Sequence, residues 1–187
     1  AERSVAQVVP ADFPYTVRCV SEIMASNGST SMASVCGATL ALMDAGVPIT
    51  SPVVGISCGL VTDETGKELI LTDIIGAEDH FGDMDFKVCG SKKGITGFQL
   101  DLKLPGIPID TLVRAMDQNK EAREKIMKVI TDCIPAPRAE VSPNAPQMAV
   151  MKINPDKIGA LIGTGGKNIK EICEVTSAQV DIQDDGS

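Results

Sequence analysis

Apolar positions along the chain recur with two periods, and glycine and proline break them into segments. Residues 15–23 alternate imperfectly and are rich in β-branched side chains, which predicts a strand. Residues 32–45 are dense in Ala, Leu and Met and are closed by Gly46 and Pro48, the signature of a helix with a C-terminal glycine. That helix is small and apolar almost all round, as a helix buried close to a sheet would be. Residues 53–61 form one continuous apolar run containing Gly55 and Gly59, a buried strand. A polar turn at 62–67 returns the chain as a partner strand at 68–72. Residues 86–89 continue as a strand, 90–94 turn, and 95–104 form another strand. There Gln99, Asp101 and Lys103 alternate with Phe98, Leu100, Leu102 and Leu104, predicting one wet and one buried face. Residues 108–134 read as a long helix with Pro108 in its first turn. Ile109, Leu112, Val113, Met116, Ile126, Val129 and Ile130 stand at helical spacing, and the interleaved charges read as a solvated face. The first fourteen residues, with Pro10 and Pro14, read as a linker or helix end.

Four prolines between 135 and 146 mark a linker, with domains expected at 1–134 and 148–187 around a Pro-rich segment at 135–147. Beyond it, 148–153 predicts a strand. Asn154 and Pro155 open a helix to Ile162, the loop Gly163-Thr164-Gly165-Gly166 follows, 167–176 is a second helix and 179–182 a strand. The layout is α+β, with four or five mostly antiparallel strands and helices against them.

Length, composition and charge bound this picture. The 187 residues suit one medium domain and a small one. Net charge of −8 with a pI near 4.6 excludes a general nucleic-acid coat, which would need basic charge against phosphate, but leaves room for a local site. No stretch resembles a transmembrane helix or a signal peptide, so no membrane partner is expected. The six cysteines show no C-x-x-C and mostly lie in apolar runs, as reduced core residues of a cytoplasmic protein would. The absence of an initiator Met leads us to expect a piece of something longer.

Three stretches carry candidate chemistry. Residues 73–87 hold Asp73, Glu78, Asp79, Asp83, Asp85, the only histidine and Lys87. In its second half Asp83, Asp85 and Lys87 share one face of an extended segment. This is either a solvated loop or a site for a hard divalent cation, since Mg²⁺ needs only one or two carboxylates plus waters and substrate phosphates. His80, in a polar loop, reads as structural. The run Gly28-Ser29-Thr30-Ser31 precedes a helix, where backbone N–H groups and the positive dipole end gather anions. One hydroxyl would suffice to cap the helix; three after a glycine, beside a carboxylate cluster, favour phosphate. Gly163 to Gly166 between two helices matches the clamp by which KH domains let a single-stranded backbone approach. Charge there is modest support: Lys152, Lys157, Lys167 and Lys170 against Asp156, Glu171 and Glu174.

Residues 28–37 and 72–87 followed by a KH loop resemble the polynucleotide phosphorylase family, over nearly the whole chain from about Phe13. The resemblance implies the second ribonuclease-PH-like core, a mixed sheet with packed helices, N-terminally incomplete, and the start of a KH module, C-terminally incomplete. It implies a 3′→5′ phosphorolytic exoribonuclease. Phosphate attacks the terminal phosphodiester of RNA and releases a nucleoside diphosphate, and the reverse reaction polymerises diphosphates. By the same resemblance Ser29, Thr30 and Ser31 match phosphate-binding serines, with Thr30 departing from serine but keeping a hydroxyl. Asp79 and Asp85 match metal-binding aspartates for Mg²⁺ (Mn²⁺ substituting), Lys87 matches a catalytic lysine beside them, and Gly163, Thr164, Gly165, Gly166 and Lys167 match the RNA clamp. Expected partners are single-stranded RNA, inorganic phosphate and nucleoside diphosphates, a homotrimer and components of an RNA degradosome. The basic residues that the family places just upstream are absent here. The competing reading is an RNA-binding or assembly subunit that has lost catalysis; the intact hydroxyl run and acidic pair favour the enzyme.

Overall fold

The structure, a computed structural model, describes residues 1–187 and divides into two units, Ala1–Ser142 and Pro143–Ser187. In the first, four strands, β1 (Val54–Thr62), β2 (Glu68–Thr72), β3 (Met84–Ser91) and β4 (Gly94–Leu102), form a sheet in the order β2-β1-β3-β4. Every pairing is antiparallel. The α+β class read from the sequence holds. The helices are α1 (Glu2–Ala6), α2 (Thr30–Asp44), a short α3 (Gly76–Phe81) and α4 (Ile109–Cys133).

The strict alternation of side chains along a strand separates the two sheet faces. On one face Leu60 of β1 and Met84, Phe86 and Val88 of β3 pack with Ala115 of α4, while Val54 packs with Met127 and Ile130. Burying each such side chain contributes about 1.5–3 kcal/mol. On the other face β1 carries Gly55, Ser57 and Gly59, opposite Cys89, Lys87 and Asp85 of β3. These small residues are required by what covers them. A Cβ on Gly55 would lie 2.8 Å from Met32 Sδ of α2, and one on Gly59 would lie 2.6 Å from Ile74 Cγ2. The second face is therefore a floor over which the start of α2 and the segment before α3 can close. Thr39 fixes α2 there: its hydroxyl donates to the Val53 carbonyl at 2.6 Å and accepts from the Val53 N–H at 3.3 Å.

Several expectations are corrected. Residues 15–23 form no strand, and Val20 and Ile23 are exposed. A β-rich sequence becomes a strand only where a neighbour takes its N–H and C=O groups, and none is alongside. The first residues fold as α1. Asp79 stands on α3, not in a loop. Phe98 of β4 is 73% exposed, and only Leu100 and Leu102 pack under α4. Pro108 is the N-cap of α4.

The face of α4 differs most. Ile109, Val113 and Val129 are exposed, and the helix buries Thr111, Ala115, Asn119, Arg123, Met127 and Ile130. Polar bonds hold this stripe to the sheet. Thr111 donates to Glu68 at 2.6 Å, Gln118 to the Ile70 carbonyl at 3.0 Å, and Asn119 to the Ile56 carbonyl at 2.9 Å. Of the cysteines, Cys58 and Cys89 are buried, but Cys19 and Cys133 are exposed; all are free.

The Pro-rich segment is docked as far as Ser142. The N–H groups of Arg138 and Ser142 donate to the carbonyls of Met43 and Ala45 at 2.9 and 3.0 Å. Gly46, with φ +81°, is what lets it lie so close, since a Cβ would fall 2.1 Å from the Glu140 carbonyl oxygen.

In the second unit a 3-10 turn (Pro155–Lys157) leads into α5 (Ile158–Ile162), and α6 (Lys167–Thr176) follows. Asn154 caps the turn, accepting from the Asp156 N–H at 3.0 Å. The strands expected at 148–153 and 179–182 are absent. The N–H of Ile153 bonds the Gly186 carbonyl at 2.9 Å, but no ladder forms, and Val150 and Met151 are exposed.

Candidate functional site

The glycine–serine floor gathers the candidate residues. Ser29, Thr30, Ser31, Asp79, Asp85 and Lys87 all line one cavity of ≈ 250 Å³, with Gly28, Ile74, Gly76 and Gln99. Three separate stretches of chain converge there.

Ser29 is the N-cap residue of α2, with extended backbone (φ −75°, ψ 94°), yet its hydroxyl makes no capping bond. It lies instead 3.3 Å from the hydroxyl of Ser31. A serine that only capped would turn its oxygen onto the helix N–H groups. Here two hydroxyls of the first turn lie side by side at the cavity wall. Gly28 is needed for the approach, because a Cβ there would sit 2.9 Å from the Ile74 carbonyl oxygen.

Asp85 and Lys87 stand on β3, two residues apart and therefore on the same face. Their side chains form an ion pair through Asp85 Oδ2. Asp85 is 3% exposed, and its second oxygen, Oδ1, is buried with no hydrogen-bond partner. A buried, unsatisfied carboxylate oxygen costs about 1–3 kcal/mol or more when charged. The donor set fits a cation that brings its own waters: one orphaned carboxylate oxygen, the half-buried Asp79 on the same cavity and no third acidic ligand. Asp79 sits on α3 and makes only a 3.6 Å ion pair with Lys103, both half-exposed.

The remaining carboxylates of the stretch are occupied elsewhere. Glu78 accepts from the Ile75 N–H at 2.8 Å and holds the start of α3. Asp83 accepts from the Thr62 N–H at 2.7 Å and ties the entry of β3 to the end of β1. Asp73 has φ 61° and turns the chain out of β2. His80 is exposed, stacked edge-on against Phe81 at 4.7 Å. Gln99 is the cavity residue that sequence reasoning missed. Its signal was its pairing with Lys87 across β3 and β4, which puts both on one face, but register is invisible in a single strand.

In the second unit, the loop from Gly163 to Gly166 turns between α5 and α6 with positive φ at Gly163, Gly165 and Gly166 (72°, 64° and 78°). These angles explain the glycines directly. Asn168 donates to the Ala160 carbonyl at 2.9 Å across the loop and packs against Gly163. Thr164, Gly165 and Lys167 are exposed at its tip. This leaves backbone N–H groups and one ammonium open to a phosphate backbone.

Both units have counterparts among known proteins. The profile of the 3′ exoribonuclease family, domain 1, matches residues 1–48, and that of the KH domain matches residues 148–187. A solved structure of rice (Oryza sativa) Rrp46 superposes with TM-score 0.52 at 16% identity, covering 60% of this chain and 51% of that one, a likeness of fold. Polyribonucleotide nucleotidyltransferases are much nearer in sequence. That of Opitutus terrae is 57% identical over 194 residues and that of Rhodopirellula baltica 57% over 189, each across 100% of this chain and 27% and 25% of the relative. Along its whole length the chain is similar to polyribonucleotide nucleotidyltransferases, and it spans about a quarter of the length of these relatives.

Proposed function

We propose that the full-length protein is a 3′→5′ phosphorolytic exoribonuclease acting in mRNA degradation, and that this chain supplies its phosphorolytic cavity and part of its RNA clamp. The observation that carries this reading is the convergence of Ser29, Thr30, Ser31, Asp79, Asp85 and Lys87 on one cavity. Phosphorolysis brings one anion against another, so the site must offset their repulsion while keeping them in line. The paired hydroxyls and the α2 N-terminus bind and orient the attacking phosphate. An oxygen of that phosphate forms a bond to the terminal phosphorus. The bond to the 3′ oxygen of the preceding nucleotide breaks, a proton goes to that oxygen, and a nucleoside diphosphate leaves. Lys87 places positive charge where the transferring group becomes more negative, and Asp85 holds Lys87 in position. Asp79 and Asp85 would hold Mg²⁺, with Mn²⁺ substituting. When bound, such an ion supplies charge neutralisation for the phosphoryl oxygens and the leaving oxygen.

Gly163, Thr164, Gly165, Gly166 and Lys167 bind the single-stranded RNA backbone. The reaction is reversible, the assembly a homotrimer that joins degradosome components, and the location cytoplasmic; no helix of the chain is long and apolar enough to cross a membrane. The test is release of ADP from poly(A) by the full-length protein. ADP formation that requires phosphate and a divalent cation supports the reading, whereas AMP release without phosphate would replace it with a hydrolytic nuclease.

A further inference from the structure

A second cavity, of ≈ 640 Å³, lies between the β3–β4 turn and the C-terminal half of α4. At its base is Arg123, 9% exposed. The Arg123 Nε–H donates to the Asn119 side-chain oxygen at 2.8 Å, and Asn119 is in turn fixed to the Ile56 carbonyl. The guanidinium makes no ion pair, although its tip lines the cavity. The sheet is shaped to admit it. A β-bulge falls at Cys89/Gly90, and a Cβ on Gly90 would lie 2.5 Å from Arg123 Nη1. Lys92 and Lys93 stand on the turn above and Lys120 one helical turn away, all exposed and without ion pairs. Two carboxylates, Asp117 and Glu124, share the lining, and Lys128 is neutralised by Asp132. Four unpaired cations against two carboxylates leave a local excess of +2 in a chain of net charge −8.

A buried guanidinium is ordinarily compensated by a carboxylate, because desolvation without a counter-charge is costly. Arg123 bonds only an amide oxygen, with Glu124 acting on it from beyond ion-pair distance, and burial pulls its affinity for the proton below the usual arginine range. A fixed planar fork with free donors suits phosphate oxygens. The space exceeds what one phosphate fills, and Met116, Met127 and Ile95 provide an apolar wall beside the cations.

We propose that this cavity is a binding site, separate from the phosphorolytic one, for a small ligand carrying a diphosphate, with Arg123 as the anchor and Lys92, Lys93 and Lys120 as the rim. The diphosphate comes free or as part of a nucleoside diphosphate. An extended RNA strand is disfavoured, because Asp117, Glu124, Glu121 and Asp132 crowd the same stretch of α4.

The test uses the full-length protein with pyrophosphate, ADP and a short oligoribonucleotide as separate probes, read by hydrogen–deuterium exchange in the 90–95 turn and by equilibrium dialysis. Pyrophosphate and ADP are expected to slow exchange in the turn. The Lys92→Ala/Lys93→Ala/Lys120→Ala variant, altered only at exposed positions, is expected to weaken that effect about tenfold while poly(A) phosphorolysis continues. Arg123→Gln is expected to remove it. Tighter binding of ADP identifies the nucleotide as the ligand and equal binding identifies the free diphosphate; either supports the site. The proposal is overturned if neither probe protects the turn, if the triple variant is protected as well as the wild type, or if only the oligoribonucleotide protects it.

Discussion

Two cationic side chains sit below the surface of the first unit, and they are treated oppositely. Lys87, on the sheet face beneath α2, has a carboxylate, Asp85, on its own strand. Arg123, against the other face, has an amide and no carboxylate. Lys87 needs no outside ion to be neutral overall, and the unsatisfied groups beside it are the acceptor Asp85 Oδ1 and the Ser57 hydroxyl across the strand pair. Around Arg123 it is the positive charge that lacks an ion-pair partner. The first arrangement is incomplete towards cations and the second towards anions. One small domain thus holds two cavities of opposite character, one with an orphaned carboxylate oxygen and one with a cation that has no ion pair.

The largest effect expected follows from removing the acceptor. Asp85→Asn in the full-length protein should lower phosphate-dependent ADP release by about a thousandfold or more, the scale of losing an electrostatic element of a transition state. Thermal unfolding should still show a cooperative transition. If release continued near the wild-type rate, Asp85 would be only a partner for Lys87, and the contrast between the cavities would lose its chemical meaning.

The paired and unpaired cations should also differ in stability. Lys87→Met leaves Asp85 buried with no counter-charge and should destabilise by about 3 kcal/mol, the usual cost of breaking a buried pair from one side. Arg123→Met strands no carboxylate, only the buried Asn119 oxygen that it bonds, and should destabilise by about 1–2 kcal/mol, at the lower end for a buried acceptor left unsatisfied. Denaturant titration of both variants checks this; equal losses would mean that Arg123 has a compensating partner in solution. A smaller, local loss is expected for Thr39→Val, about 1 kcal/mol for a buried hydroxyl bonded to Val53, measured in the same way.

How much of this was readable in the residues depends on what each inference needed. Asp85 and Lys87 share a face by the period of a strand alone, and Ser29 to Ser31 sit at a helix start by the Ala- and Leu-rich run that follows. The short range of these signals is why they survived. The glycine-bearing face of β1 was half visible, since Gly55 and Gly59 were conspicuous in an apolar run but what closed over them was not. The buried stripe of α4 was hidden because it is polar. Thr111, Asn119 and Arg123 bond to the sheet, while Ile109, Val113 and Val129, which carried the apolar period, face outward. Pairing was the other blind spot. Residues 15–23 and 148–153 have strand-like composition, but a strand exists only with a neighbour, and neighbours are set by the whole topology.

Asp63 gives the smallest effect and the control for the comparison, a carboxylate whose partners are complete without any ligand. In the β1–β2 turn it accepts from the Thr65 hydroxyl at 2.6 Å and from the Thr65 and Lys67 N–H groups at 2.9 Å each. The Thr65 hydroxyl first, then the Lys67 N–H, hold its carboxyl below the ordinary aspartate range. Because the folded value is the lower one, the stabilisation is fully present above the unfolded value of about 3.9 and fades as pH falls through the folded value. Asp63→Asn should therefore flatten the acid side of the stability curve slightly, leave stability unchanged in its dependence on pH near neutrality, and leave phosphorolysis untouched. Melting curves from pH 2 to 7, compared with those of the parent, read this directly. A change in activity instead would tie the turn to the cavity, and satisfied carboxylates could no longer be set apart from the orphaned oxygen of Asp85.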